Sequence, residues 1–343
     1  MRNQYLGLKI KLFIGAVIKG KITFRKLWNT FLTVVAYWRQ SPTSAGAPFI
    51  LSIELWNECN AGCLFCRNEK GEIFDINPQS LVKTGVSKGK MPVAMACDII
   101  SQFKEDSLIA VLYTNGEPLL YPELPQVIRH ANDNKMLSMI STNGLLFTEE
   151  NAAAILSSGI DFIKIQLGGF TQDIYSIQIR YGQVEKLKEN IRMLTRLRNE
   201  GKYQTVILID WITYNYNRHQ LPLIQAFCKE LGLMLSYRPG NPKGGLEHLE
   251  PKQSTELLPL NISCDWLWQG MQFNFNGEIL QCCEGVVWSE LKPYATIETG
   301  KTDLKAVWNG KAAQSMRQTM STKGRGAISL CAKCERKGVC FKW

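Results

Sequence analysis

From residue 49 to residue 240 the chain alternates short apolar runs with segments of helical period, and this alternation constrains its fold most. Residues 49–56, 108–113, 136–141, 162–167, 205–212 and 234–237 read as strands. Between them, 95–103, 124–132, 149–157, 184–198 and 221–231 read as helices; in the fourth, Leu187, Ile191, Leu194 and Leu197 keep helical spacing. Strand–helix alternation predicts a parallel sheet, and six units predict a barrel-like or open α/β architecture. In that class chemistry gathers in loops at the C-terminal ends of strands. Residues 240–245 (GNPKGG) mark a boundary, beyond which the chain is rich in Trp, Gly and Cys.

Eleven cysteines must be placed on that frame. A disulfide framework suits short secreted chains. Here no small-residue cleavage site follows the N-terminal apolar stretch, so no signal peptide is expected. The cysteines also cluster tightly, at Cys59, Cys63 and Cys66, at Cys282 and Cys283, and at Cys331, Cys334 and Cys340. Such spacing favours metal ligation. Cys59, Cys63 and Cys66 follow the first strand directly. Three thiolates there can bind three irons of a 4Fe–4S cluster and leave the fourth iron open to a substrate. Zinc is the alternative, and it would need a fourth ligand; His130, His219 and His248 are all distant in sequence. Cys97 and Cys228 lie in predicted helices and read as core residues.

The charge is uneven. Residues 1–53 contain no Asp or Glu and eight Lys or Arg, so they supply eight of the net +10. The rest is close to neutral, which argues against a nucleic-acid partner. Two apolar stretches in this arm, 12–18 and 31–38, are flanked by basic residues and read as short amphipathic helices, too short to span a membrane. Two readings stay open: peripheral contact of residues 1–40 with an anionic membrane surface, or helices packed outside the main domain with their basic residues in water. Residues 41–48 (SPTSAGAP) form a turn-rich linker.

The cysteine triplet, with Phe65 before its last member, resembles the motif of the radical S-adenosylmethionine (SAM) superfamily. Three further segments follow in family order. Asn115, Gly116, Glu117 and Pro118 resemble the Gly-Gly-Glu-Pro segment, whose backbone binds the SAM amino group in the family. Ser141, Thr142, Asn143 and Gly144 resemble the ribose-contacting segment. Gln166, Leu167, Gly168 and Gly169 stand where similar proteins often have Ser-Leu-Asp-Gly, so a carboxylate is missing. Arg180, in a familial Ile-Arg-Tyr-Gly run, is placed to reach the SAM carboxylate or to end a helix in water. The resemblance implies cofactor-binding roles for Asn115, Gly116, Glu117, Pro118, Ser141, Asn143, Gln166 and Arg180.

The C-terminal part resembles SPASM/twitch modules, which carry auxiliary 4Fe–4S clusters. Cys264 is followed by Gly277 and Cys282, then by Cys331, Cys334 and Cys340. Residues 271–275 and 278–281, joined at Asn276-Gly277, read as a β-hairpin. A full module has more cysteines after Cys340, and the chain ends at Trp343, so one auxiliary cluster is expected. Its ligands would be Cys264, Cys282, Cys331 and Cys334, with Cys340 as an alternative; a Cys₄ zinc site is the competing reading. Cys283 is either a hydrogen donor to a substrate radical or inert.

The resemblance thus implies an α/β fold: a partial (β/α)6 TIM-like barrel followed by a small cysteine-rich, hairpin-containing SPASM/twitch-like domain. The expected division is an arm over 1–48, a radical SAM core over 49–240 and an auxiliary iron–sulfur domain over 241–343. The implied cofactors are SAM, a SAM-binding 4Fe–4S cluster and an auxiliary 4Fe–4S cluster. The implied reaction is reductive cleavage of SAM to a 5′-deoxyadenosyl radical, which takes a hydrogen atom from a substrate. A small molecule or carbohydrate, lipid-linked in view of the basic arm, is the expected substrate for oxidation or epimerisation. A peptide maturase and, in another class, a non-catalytic zinc or iron–sulfur binding protein are the alternatives. A flavodoxin or ferredoxin electron donor and a cytoplasmic, membrane-associated setting complete the expectation.

Overall fold

The computed structural model describes residues 2–64, 66, 88–240, 263–282 and 292–334. Two helices come first, α1 (Arg2–Ile18) and α2 (Phe24–Trp38). Then strands and helices alternate: β1 (Ile50–Ile53), α3 (Val93–Gln102), β2 (Ile109–Val111), α4 (Leu124–Asp133), β3 (Leu137–Thr142), α5 (Glu149–Ser157) and β4 (Phe162–Gln166). Next come α6 (Gln172–Gln178), α7 (Val184–Glu200), β5 (Val206–Thr213), α8 (Leu221–Glu230) and β6 (Met234–Pro239). Strands β1 to β6 pair in sequence order and all run parallel. This is the partial (β/α)6 barrel that the resemblance implies, one of the two architectures left open by the alternation. Cys228 is buried in α8, as expected of a core residue.

The remaining elements are α9 (Trp266–Gln269), β7 (Gly270–Phe273), β8 (Glu278–Leu280), β9 (Ala295–Thr296), α10 (Leu304–Trp308), α11 (Lys311–Lys323) and α12 (Ser329–Lys333). The expected hairpin is present: β7 and β8 are antiparallel, and Gly277 between them has φ +85°. Strand β7 also pairs in parallel with β1, so the barrel sheet continues through β8 to β9.

The sheet has two differently filled faces. Its outer side packs Leu51, Ala110, Ile140, Ile163 and Ile209 on the helices. Its inner side carries Ile50, Val111, Met139, Phe162 and Leu208, against which Trp266 packs. Because side chains alternate along a strand, the inner positions further up are Ser52, Tyr113, Ser141, Lys164, Gln166, Asp210, Ser236 and Arg238. The inner face therefore turns from apolar to polar toward the C-terminal ends of the strands.

The arm closes the other end. Lys19 and Lys21 Nζ lie 2.8 and 2.6 Å from the Asp161 carboxylate, which precedes β4. Lys26 Nζ donates to the carbonyls of Asn134 and Lys135 before β3. Asn29 donates to the carbonyls of Ala47, before β1, and Asp106, before β2. The helices do pack on the main domain, with part of the basic charge turned inward: Lys21 and Lys26 are buried, while Lys11, Arg25 and Arg39 are exposed. Unsatisfied carbonyls and one carboxylate at the strand starts need donors, and these lysines provide them. Among the described residues no helix is long and apolar enough to cross a membrane.

Candidate functional site

The loop after β1 is built as a narrow shelf. Cys63 bridges Ile179 in antiparallel fashion, Leu64 N–H donates to the Gln178 carbonyl, and Tyr181 N–H to that of Ala61. The segment containing Arg180 therefore fixes the cysteine loop directly. Gly62 takes φ +61°, and a Cβ there would lie 2.5 Å from the Tyr181 ring. The three thiols converge: burial pushes the Cys63 thiol up strongly, and its neighbours Cys66 and Cys59 add to the effect. Phe65 lies outside the described residues.

The loop after β2 packs beneath this shelf. A Cβ on Gly116 would stand 1.7 Å from the Trp56 carbonyl oxygen, so only glycine fits. Glu117 N–H donates to the Glu58 carbonyl, 2.8 Å away. The Glu117 carboxylate is buried and accepts from Thr142 Oγ1 (2.6 Å), Asn143 N–H (2.8 Å) and Leu119 N–H (3.0 Å). Burial pushes its pKa up to about 7, and the three donors only partly offset this. The side chain thus joins the second and third loops, and the donors it meets are the protein's own. Asn143 extends the chain of contacts: its Nδ2 donates to Asn60 Oδ1 at 2.8 Å and lies 3.7 Å from Cys59 Sγ. Ser141 stands opposite Lys164 in register, and Gln166 opposite Asp210.

Sequence reasoning passed over the polar group at this mouth. Lys164 Nζ lies 3.8 Å from Asp210 Oδ2, and Arg238 Nη2 lies 3.7 Å from the same oxygen. The ammonium also sits 5.8 Å from the centre of the Tyr113 ring. Burial pulls the Lys164 pKa down, but Tyr113 and Asp210 outweigh it, so the group stays a cation. A signal was present: a lone charge inside an otherwise apolar strand marks an inner-face group that must find partners.

The second cysteine group gathers where strands begin. Cys264 precedes α9 and β7, and Cys282 follows the antiparallel β8, so both lie at the end opposite the first triplet. Both pack against the inner-face apolar cluster. Burial raises the Cys264 thiol to about 11 and the Cys331 thiol to about 12, with Cys334 adjacent to each. Tyr294 feels both Cys282 and Cys331. Buried Arg325 donates to the carbonyls of Cys334 (2.8 Å) and Cys331 (3.4 Å), placing a cation beside the group. Cys283 and Cys340 lie outside the described residues.

Both groups suit iron–sulfur clusters by donor chemistry. Each is thiol-rich, and thiols this desolvated become thiolates only when a metal replaces the proton. Among the described residues no three His, Cys, Asp or Glu side chains close on a single ion. A cubane instead takes one sulfur per iron. At the mouth, the buried Gln166 Nε2 has no hydrogen-bond partner within the protein, a donor left for a ligand.

Residues 53–216 match the radical SAM superfamily, and residues 264–335 match an iron–sulfur cluster-binding domain of the SPASM type. The chain carries a radical SAM domain followed by a SPASM-type domain. These two domains imply SAM and 4Fe–4S clusters, one of them auxiliary. Over 183 residues the chain is 24% identical to a probable GTP 3′,8-cyclase of Methanococcus maripaludis, covering 52% of this chain and 54% of that one. It spans about half the length of the curated relatives it matches. Its fold resembles SuiB of Streptococcus suis bound to precursor peptide SuiA (TM-score 0.62, 14% identity, 90% of this chain and 74% of the other). It also resembles BtrN in complex with AdoMet and 2-DOIA (TM-score 0.53, 18% identity, 87% and 96%).

Proposed function

We propose that the chain is a radical SAM enzyme that removes a hydrogen atom from a small polar substrate, for oxidation or epimerisation. The observation that carries this is the Lys164–Asp210–Arg238 group on the inner face of β4, β5 and β6, at the same end as the Cys59–Cys63–Cys66 loop. Two cations around one carboxylate suit an anionic or hydroxyl-rich molecule, since each can exchange part of its ion pair for a charge-assisted bond. In this reading Cys59, Cys63 and Cys66 hold the first cluster, while Asn115, Gly116, Glu117, Pro118, Ser141, Asn143, Gln166 and Arg180 form the SAM site. Glu117 acts by fixing the Asn143 backbone. Cys264, Cys282, Cys331 and Cys334 hold the auxiliary cluster, with Cys340 as the alternative ligand, and Cys283 would return a hydrogen atom in an epimerisation.

When bound, SAM and the reduced cluster supply a 5′-deoxyadenosyl radical able to take hydrogen from an unactivated carbon. The chain's own work is to orient substrate and exclude water at the mouth. A flavodoxin or ferredoxin would deliver the electron. The division into an arm (1–48), a core (49–240) and an auxiliary module (241–343) belongs to the same reading. The arm lies at the end away from the mouth, so it is not placed to present a peptide there, which favours a small substrate.

The test uses anaerobically purified, cluster-loaded protein with dithionite and SAM. We expect 5′-deoxyadenosine, lost in Cys63→Ala, and stimulated by the low-molecular-mass fraction of a cell extract. Lys164→Met should abolish that stimulation and keep the basal cleavage. Stimulation by the peptide fraction alone would replace the small-molecule substrate with a peptide. No nucleoside at all would refute the enzyme.

A further inference from the structure

Helix α2 wears its amphipathicity inside out. Its buried positions are Lys26, Asn29, Thr33 and Ala36. Its outward positions are Phe24, Leu27, Trp28, Phe31 and Trp38, with Phe24 82% and Trp38 72% exposed. These fall at helical spacing, so they form one face. Trp28 and Phe31 stack there, centroids 5.3 Å apart. Helix α1 repeats the pattern: Ala16 is buried and Leu12 packs inward, while Ile10, Phe13, Ile14, Val17 and Ile18 face out. Ten of the twelve exposed large apolar or aromatic side chains among the described residues belong to these two helices.

A helix on a water-facing surface turns its apolar stripe inward. Here the inward stripe is polar because it serves the strand starts, and the apolar stripe is left for another medium. Exposed apolar surface concentrated in this way marks an interaction site. We propose that the outward faces of α1 and α2 dock in the plane of an anionic lipid surface. Charge selects this occupant. Residues 1–53 hold no acid at all and eight Lys or Arg, so nothing in the arm repels acidic headgroups. Lys11, Arg25 and Arg39 are exposed on or beside the two helices, where headgroup phosphates would lie. Aromatic and aliphatic residues with basic neighbours are the composition of helices that lie in the interface. Helix α1 has 17 residues and α2 has 15, and neither qualifies as a span.

The hydrogen bonds also set the orientation. The inner face of α2 and the turn that joins it to α1 touch the residues before β1, β2, β3 and β4, so the docked face points away from the C-terminal ends of the strands. The mouth then opens to the aqueous side, and substrate reaches it from water. This inference stands whatever the substrate is.

The test is sedimentation of the full, cluster-loaded chain with vesicles of phosphatidylcholine alone or with about a third phosphatidylglycerol. We expect at least about fivefold more protein to pellet with the anionic vesicles, less as salt is raised. The double variant Trp28→Gln, Phe31→Gln should lose about tenfold in binding with unchanged iron content and unfolding temperature, since both side chains face outward. Lys11→Glu with Arg39→Glu should abolish the preference for anionic vesicles. The proposal is overturned if the parent protein ignores anionic vesicles, or if the Trp28, Phe31 variant pellets like the parent. It is also overturned if the parent forms a dimer that the variant dissolves while neither binds lipid; the face would then join two copies of the chain.

Discussion

A carboxylate buried in a loop has to be matched by donors, and Glu117 is matched by three. They do not fully compensate its desolvation, which is why the group titrates near 7 instead of near 4.5. Between those values the folded protein holds a proton that the unfolded chain has already released. The stabilisation from this site is therefore complete below 4.5 and is lost as pH rises through 7. A displacement of that size corresponds to about 3 kcal/mol. Denaturant titrations at about pH 5 and about pH 8 should show the protein weaker at the higher pH by an amount of this order. Glu117→Gln should flatten the dependence. It should also cost about 1–3 kcal/mol at the lower pH, because an amide presents fewer acceptor sites to the three donors. An unchanged slope in the variant would assign the pH dependence to other groups.

At the scale of loops and helices, two glycines invite different predictions. On Gly116 a Cβ meets a backbone oxygen at 1.7 Å, and neither partner can swing aside. Gly116→Ala should separate the loops after β1 and β2, cost about 3 kcal/mol and lower SAM affinity, as read by thermal unfolding and by binding. On Gly62 the obstacle is the Tyr181 ring, which is 59% exposed and can move, so the residual cost is the left-handed backbone. Gly62→Ala should cost about 1–2 kcal/mol and leave iron uptake largely intact. The same contrast between local and imported constraint explains what the sequence revealed. Strands β1 to β6 and helix α7 were legible because each carries an apolar run or stripe of its own. Helix α6 was not, since it has seven residues and is held by the approach of Gly169 to Tyr175, a tertiary contact. The four loop motifs could be read from their residues, whereas Lys164, Asp210 and Arg238 lie on three separate strands and meet only in the folded sheet. The arm misleads a reading of amphipathicity because its inward stripe is polar, serving the carbonyls at the strand starts. Asp161, with Lys19 and Lys21 on one buried carboxylate, carries the arm's attachment. Asp161→Asn should destabilise the protein by about 3 kcal/mol, since the buried Lys21 ammonium loses its counter-charge.

Over the whole molecule, the continuous sheet links two ends of opposite character. The loop after β1 carries the first cysteine group, and β7, hydrogen-bonded to the same β1, carries the second at the far end. The two groups share a scaffold but no ligand, so their occupancies should be separable. Loaded with both clusters, the chain should bind about eight irons, four for each cubane. Cys331→Ala should fall toward about four irons while still forming 5′-deoxyadenosine without substrate, because residues 178–181 and the close approach at Gly116 support the triplet loop. Cys63→Ala should also retain about four irons, now at the auxiliary site, and form no nucleoside. The pair of variants distinguishes two cubanes from one cubane and a zinc site, since with zinc at the second group Cys331→Ala would release zinc and leave the iron count untouched. If either substitution stripped both sites, the coupling would have to run through β1 and β7, and the picture of independent stations on one sheet would fail.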